Sequence, residues 1–198
     1  MDLQPSLWVK RWSHLVPDGG RVLDVACGSG RHVRWFTHRG AQVTAVDRDA
    51  PAVVPLRALP GPPVEVIVAD IENGAWPLLD RRFDTVVVTN YLWRPLFPTL
   101  LASVDEGGVL IYETFAVGNE TVGRPSKPDF LLQRRELLAA TTGLRLVAYE
   151  EGFLDTPERF VQRVVAVREP NADAGPRRYP LLARAPAPVK STDSEEPA

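Results

Sequence analysis

The chain has 198 residues, 44% of them hydrophobic, with one cysteine, three histidines and a formal net charge of −2. These values suit a single domain with its own core, exclude an internal disulfide, and give no electrostatic basis for a nucleic-acid partner. Because the sequence has no apolar run long enough for a bilayer, no basic leader and no metal-ligand spacing of histidines, we expect a cytoplasmic protein with no membrane partner and no metal site.

Strands and helices alternate along most of the chain. Residues 6–15 have apolar side chains at helical spacing after Ser6, a capping residue, which predicts a lead-in helix. Apolar runs predict five strands of a parallel sheet, at 21–26, 41–46, 64–69, 83–90 and 109–115. Helical patterns lie between the first three strands and at 95–104 and 131–141.

The last two predicted strands have no helix between them. Residues 144–150 and 159–168 are separated by 151–158, which has the composition of a hairpin loop, so we expect the last strand to be antiparallel. Proline, alanine and charged residues dominate 169–198. We therefore predict one domain at 1–168 and a flexible tail at 169–198.

A two-glycine turn joins the first strand to the next helix. Gly28 and Gly30 allow a tight turn and the close approach of a ligand, and the helix start behind them offers unpaired N–H groups. The third glycine of a dinucleotide fingerprint would fall on Val33, which argues against a pyrophosphate site. Asp24 completes the pattern D-x-A-x-G-x-G.

Two further acids follow the second and third strands. Asp47 lies 19 residues after Gly28, where a carboxylate can accept hydrogen bonds from both ribose hydroxyls. Asp70 can accept from an exocyclic amine, and Ile71 beside it can pack on a purine face. Each aspartate could instead cap the turn that follows it. Three acids at one edge of the sheet favour a single adenosyl ligand.

This arrangement resembles motif I and the following strands of the class I S-adenosylmethionine-dependent methyltransferases, over about residues 6–168. The resemblance implies an α/β, three-layer Rossmann-like sandwich, with a seven-stranded, mostly parallel sheet of order 3-2-1-4-5-7-6 and an antiparallel strand 7. It implies S-adenosyl-L-methionine as the cofactor. The expected cofactor-binding residues are Asp24, Ala26, Cys27, Gly28, Gly30, Arg31, His32, Asp47, Arg48, Asp70, Ile71 and Asn90.

The acceptor side is expected in the loops after the fourth and fifth strands. The long run at 113–132 resembles a loop of small bacterial methyltransferases of the tellurite-resistance type. We predict Glu113 as an acceptor-side acid or base, with Tyr91 and Arg94 as further catalytic residues. Two of these have structural alternatives, a bond to the loop backbone for Glu113 and a surface salt bridge for Arg94. Trp8 and Arg11 are expected to close the pocket from the lead-in helix.

The sequence therefore predicts a monomer or homodimer that transfers a methyl group to a small-molecule acceptor. Two alternatives stay open. A non-catalytic or regulatory protein would bind the adenosyl ligand but have no acceptor pocket, and a nicotinamide-binding Rossmann enzyme would prefer NAD(H) to S-adenosylhomocysteine.

Overall fold

The computed structural model describes residues 4–170 and 177–183. Seven strands form one sheet in the order β3-β2-β1-β4-β5-β7-β6. The strands are β1 Arg21–Val25, β2 Gln42–Asp47, β3 Glu65–Val68, β4 Phe83–Thr89, β5 Val104–Phe115, β6 Arg145–Asp155 and β7 Glu158–Val167. From β3 to β5 all neighbours are parallel, and β7 is antiparallel to β5 and to β6. This topology confirms the predicted order.

The helices are short and lie on both faces of the sheet. They are α1 Leu7–Trp12, α2 Arg31–His38, α3 Ala50–Val53, α4 Phe97–Ala102 and α5 Glu136–Ala140. The predicted helix at 6–15 is divided into α1 and a 3-10 turn, and the one predicted at 131–141 begins only at Glu136, after Arg135 adopts a left-handed φ of 58°. Among the described helices, none has the length and apolarity to cross a membrane.

Two hydrophobic cores lie on opposite faces of the sheet. On β1, Val22 belongs to the same core as Phe36 of α2, whereas Leu23 and Val25 belong to the core that contains Leu100 of α4. Successive residues of a strand point to opposite faces, so one continuous apolar run supplies both cores. The central strands consequently have no solvent-facing side, and ligands can approach only at their ends.

Two predicted loops are strand in the structure. β5 begins at Val104 and not at the predicted 109, because residues 105–108 form an irregularity within the ladder, where the Gly107 N–H donates to the Arg168 carbonyl at 2.7 Å. The loop predicted at 151–158 is mostly strand, since β6 and β7 stay paired up to Asp155 and Glu158. The rings of Phe153 and Phe160, with centroids 4.9 Å apart and planes inclined by 51°, pack against each other across this extension.

Part of the predicted tail lies against the domain. The Pro180 carbonyl is 2.8 Å from His14 Nε2, and the guanidinium of Arg145 lies 5.3 Å from the centre of the Tyr179 ring. Residues 171–176 and 184–198 lie outside the described residues, so for them the flexible tail stays a prediction.

Candidate active site

The glycine turn is held against the end of β2 by Asp47. Its Oδ2 accepts a hydrogen bond from the Gly28 N–H at 2.8 Å, and its Oδ1 accepts one from the Asp49 N–H at 2.9 Å. Asp47 therefore does cap the local backbone, which was the alternative to cofactor binding. A carboxylate has about four lone-pair sites, so Asp47 keeps acceptor capacity for the two hydroxyls of a ribose.

Gly28 and Gly30 are both required in the turn, for different reasons. Their φ angles are +54° and +77°, a region that residues with a Cβ rarely adopt. A Cβ on Gly28 would meet nothing within 4 Å, whereas a Cβ on Gly30 would lie 2.5 Å from two methyl carbons of Leu56. Gly30 thus allows the start of α2 to pack against Leu56, and Gly28 leaves open space beside the backbone of the turn.

We expect Gly30→Ala to lower the free energy of unfolding by about 2–3 kcal/mol in urea titrations, because strain at positive φ and overpacking against Leu56 add together. Gly143→Ala is the matched control, since its φ is +98° and its added Cβ has nothing within 4 Å. It should cost only the strain, about 1 kcal/mol. Equal losses in the two variants would show that contact with Leu56 has no effect.

A cavity of about 170 Å³ lies beside the turn, at the carboxyl ends of the first four strands. We call it the cofactor cleft. Its lining residues are Ala26, Asp47, Arg48, Ala69, Asp70, Ile71, Glu72 and Tyr91. Most of them were predicted to bind the cofactor, and the structure brings them together in one cleft, with polar groups beside the apolar Ile71 and Ala69.

Asp70 closes a tight turn at the rim of the cofactor cleft. Its Oδ2 accepts from the Asn73 side-chain amide at 3.0 Å, and its Oδ1 accepts from the Glu72 and Asn73 N–H groups at 3.0 and 3.1 Å. These hydrogen bonds, the Asn73 side chain first, lower the pKa of Asp70. The side chain is therefore an ionised acceptor, as recognition of an exocyclic amine requires.

Asp24 is the buried acid of the site, with only 1% of the residue exposed. Burial raises its pKa from 3.8 to about 8, although the nearby Arg31 opposes the shift. Its Oδ2 has no hydrogen-bond partner among the described residues. A buried carboxylate with an unmet acceptor fits a ligand that brings a positive charge or an N–H donor. The α-ammonium of S-adenosylmethionine is such a group.

His32 and Cys27 face the protein interior. His32 Nε2 accepts from the Ser6 N–H at 3.1 Å, and Nδ1 lies 3.5 Å from the Thr89 hydroxyl. Burial, followed by the charge of Arg31, lowers the pKa of His32 to about 3, so the ring is neutral. Burial also raises the pKa of the Cys27 thiol. The structure thus joins His32 to the segment before α1, and makes Cys27 a small, protonated side chain within the turn.

Glu113 lies buried at the end of β5, between two arginines of β7. Its Oε1 accepts from the Ser6 hydroxyl at 2.9 Å and from Arg159 Nη2 at 3.4 Å, and its Oε2 accepts from Arg163 Nη1 at 3.3 Å. Arg163 also donates from Nε to Glu150 Oε2 at 2.7 Å. Glu113 is 0% exposed and both oxygens are engaged, so the geometry favours a counter-ion over a free acid or base.

Sequence reasoning missed Arg159 and Arg163. It also missed the hydrogen bond from the Ser6 hydroxyl to Glu113, beyond the role of Ser6 as a helix cap. The available signal was the spacing of the two arginines, which places both on one face of a strand. Only the β5–β7 register, in which Glu113 lies directly opposite Arg163, shows that this face meets Glu113.

Two predicted catalytic residues lie apart from Glu113. Tyr91 lines the cofactor cleft, where burial and then the carboxylate of Glu72 raise the pKa of its phenol. Arg94 is paired with Glu136 at 2.6 Å and donates to the carbonyls of Asp129 and Leu131. Arg94 therefore holds the loop before α5 in place, and the structural alternative describes it better than a catalytic role.

A second cavity, of about 240 Å³, lies between α1 and the β6–β7 hairpin. We call it the acceptor cleft. Its lining residues are Leu7, Trp8, Arg11, Leu154, Thr156, Arg159 and Arg163. Trp8 and Arg11 were expected to close a pocket from the lead-in helix, and both line this cleft. Arg159 of this cleft donates to Asn90 Oδ1 at 3.5 Å, and Asn90 directly precedes Tyr91 of the cofactor cleft in the sequence.

Comparisons with known proteins agree with this geometry. Residues 22–106 match the family described as methyltransferase domain. The chain is 31% identical over 107 residues to the malonyl-[acyl-carrier protein] O-methyltransferase of Serratia marcescens, covering 51% of this chain and 40% of the relative. It is 30% identical over 157 residues to the tRNA U34 carboxymethyltransferase of Pseudoalteromonas translucida, covering 74% of this chain and 48% of the relative. The chain thus spans less than half the length of either relative.

The fold also recurs among solved structures. TehB from Haemophilus influenzae superposes with a TM-score of 0.63 at 19% identity, over 76% of this chain and 58% of that one. At this identity the likeness concerns the fold alone, and it matches the sheet order described above.

Proposed function

We propose that the chain is a class I S-adenosylmethionine-dependent methyltransferase and that it transfers a methyl group to a small-molecule acceptor. The match of residues 22–106 to a methyltransferase domain and the strand order of the sheet support this assignment. The observation that carries the proposal is the cofactor cleft, which is lined by acids expected to hold an adenosyl ligand; a second cleft, bounded by α1, is linked to it through the contact of Arg159 with Asn90. The acceptor cleft, at about 240 Å³, can accommodate a small-molecule acceptor.

Residues in and around the cofactor cleft would each bind a different part of the ligand. We assign the ribose hydroxyls to Asp47, the adenine amine to Asp70 and one adenine face to Ile71. The buried Asp24 would hold the α-ammonium, and Arg31, at the start of α2, would hold the α-carboxylate. When bound, S-adenosylmethionine supplies a methyl group on a sulfonium sulfur, which an aligned nucleophile displaces.

Alignment of the acceptor with the methyl group can supply most of the rate enhancement of such a transfer. Orientation alone can provide effective molarities of about 10⁵ M or more, so an acceptor that is already nucleophilic needs no general base. The engaged state of Glu113 agrees with this, since both its oxygens already accept hydrogen bonds. The chain's contribution is to hold the acceptor against the cofactor and to limit the access of water.

Calorimetry combined with a turnover assay tests the proposal. S-adenosylhomocysteine should bind more tightly than NADH, and methyl-labelled S-adenosylmethionine should label a member of a panel of thiols, amines, phenols and metalloid oxyanions. Tighter binding of NADH, or binding of neither ligand, would remove the cofactor assignment. Binding of S-adenosylhomocysteine without any labelling would favour the non-catalytic alternative.

Asp47→Ala should weaken the binding of S-adenosylhomocysteine by about 1.5–3 kcal/mol, the range for hydrogen bonds to a charged group. Asp49→Ala is the control, because Asp49 also caps a backbone N–H, that of Ala52 at 3.3 Å, and does not line the cofactor cleft. We expect the control to keep its affinity in the same calorimetric titration. Unchanged affinity in Asp47→Ala would mean that Asp47 only caps the turn.

A further inference from the structure

We propose that the acceptor carries an anionic group, a carboxylate or another small oxyanion, and that the Arg159 guanidinium binds this group in the acceptor cleft. The inference rests on the proposed methyl transfer and names the chemical class of its acceptor. It is carried by the hydrogen bonds of Arg159, by the charges around the cleft and by the position of Arg159 in the sheet.

Arg159 is held by long contacts only. Its Nη1 lies 3.5 Å from Asn90 Oδ1 and its Nη2 lies 3.4 Å from Glu113 Oε1, whereas charge-assisted bonds are usually about 2.7–2.9 Å. The side chain is 16% exposed, and its buried Nε has no hydrogen-bond partner among the described residues. A guanidinium has five N–H donors, so several remain available to a ligand.

The charged cluster formed by the arginines of the cleft and their carboxylate partners has an excess of one positive charge. Three guanidinium groups meet two carboxylates, and the members of this cluster are Arg11, Arg159, Arg163, Glu113 and Glu150. Glu150 bonds Arg11 at 2.9 Å and Arg163 at 2.7 Å, while Arg159 has only its shared, longer contact with Glu113. Arg11 and Arg163 each have a short salt bridge with Glu150, so Arg159 is the guanidinium with the weakest charge pairing, and a monoanion beside it would complete that pairing.

The acids of the hairpin turn do not supply that anion. Leu154 is paired with Arg159 in the β6–β7 ladder, so the two side chains share a face, and Leu154 also lines the cleft. Asp155 and Glu158 form the adjacent pair, and their side chains point to the opposite face of the ribbon. Arg159 consequently faces the cleft without a carboxylate from the hairpin turn, and Glu150 of the same hairpin bonds Arg163 and Arg11 instead.

Arg159 lies where an anchored acceptor would reach the methyl group. Its contacts with Asn90 and Glu113 place it at the carboxyl ends of β4 and β5, the edge at which open α/β sheets bind ligands. Trp8 and Leu154 form apolar walls beside it, and Thr156 adds a hydroxyl. An anion on Arg159 would thus orient the rest of the acceptor between these walls, next to the cofactor cleft.

The test titrates the wild-type protein, saturated with S-adenosylhomocysteine, with acetate, malonate, benzoate and phosphate, and with acetamide, malonamide and benzamide as neutral counterparts. At least one anion should bind at least about tenfold more tightly than the neutral compounds, and Arg159→Met should remove this preference. Arg34→Met, which changes an exposed arginine of α2, should retain it. Arg159→Gln, with circular dichroism, repeats the measurement if the methionine variant does not fold.

The outcomes separate this inference from the proposed function. Anion binding that is absent from the wild-type complex, or unchanged in both Arg159 variants, overturns the anion site while leaving cofactor binding intact. A parallel loss of S-adenosylhomocysteine affinity in the Arg159 variants also overturns it, because Arg159 would then bind the cofactor's own carboxylate. If the wild-type protein does not bind S-adenosylhomocysteine, it is the proposed function that fails.

Discussion

Replacing Glu113 by glutamine is expected to lower the free energy of unfolding by about 3–5 kcal/mol, the usual cost of removing one partner from a buried ion pair. Glu113 is 0% exposed and is the shared counter-ion of Arg159 and Arg163. A neutral amide would leave Arg159 without a carboxylate partner and Arg163 with only Glu150, which is itself partly exposed. Urea denaturation measures the loss, and turnover should fall with it because Arg159 loses a partner.

Glu150→Gln is the matched control for this measurement. Glu150 also pairs with Arg163, but its side chain is 40% exposed, so water can replace it and the loss should be about 1 kcal/mol or less. The result that would contradict a counter-ion role is a Glu113→Gln variant of wild-type stability with greatly reduced turnover. That outcome would restore the acid or base role predicted from the sequence.

Asp24→Asn is expected to stabilise the unliganded protein at alkaline pH and to weaken cofactor binding. The folded-state pKa of Asp24, about 8, lies above its ordinary value of 3.8 because of burial. The folded protein therefore prefers the protonated form, and Asp24 costs increasing stability as the pH rises from about 4 to about 8. Asparagine does not ionise, so the variant should be more stable by about 3–5 kcal/mol near pH 8, with the difference vanishing near pH 4.

The same substitution should weaken S-adenosylhomocysteine binding by about 1.5–3 kcal/mol, since the α-ammonium loses its carboxylate. Asp84→Asn serves as a control of opposite sign. Burial alone would raise the pKa of Asp84, but hydrogen bonds from Arg21 lower it, so its carboxylate stabilises the fold above about pH 4. An Asp24→Asn variant with the wild-type dependence of stability on pH would show that Asp24 does not titrate as described.

The cofactor side could be predicted from the sequence because its signals are local. The apolar runs, the glycine turn and the acids Asp47 and Asp70 each lie within a few residues of a strand end, and parallel strands bring those ends to one edge. The acceptor side depends on register instead. Ser6 and Glu113 are 107 residues apart, and Glu113 and Arg163 are 50 apart, so nothing near either residue indicates its partner.

The errors at the loops have a similar cause. Gly107 is typical of a turn, and so is Gly152 within the predicted hairpin loop, but the pairing of β5 and β6 with β7 keeps both segments in the sheet. Long-range pairing here outweighs local turn propensity. Arg94 is a different case, because its side chain and not its backbone departs from the expectation. It forms a salt bridge with Glu136 and so holds the loop before α5.

The placement of the two clefts along the chain has a consequence for biosynthesis. The lining of the cofactor cleft comes from residues 26–91, whereas the acceptor cleft needs α1 together with the β6–β7 hairpin. The Trp8 indole, for example, donates to the Val164 carbonyl, 156 residues away. Because a chain emerges from the ribosome with its amino terminus first, the acceptor cleft can close only after β7 has been translated. The nascent protein therefore completes the lining of the acceptor cleft after that of the cofactor cleft.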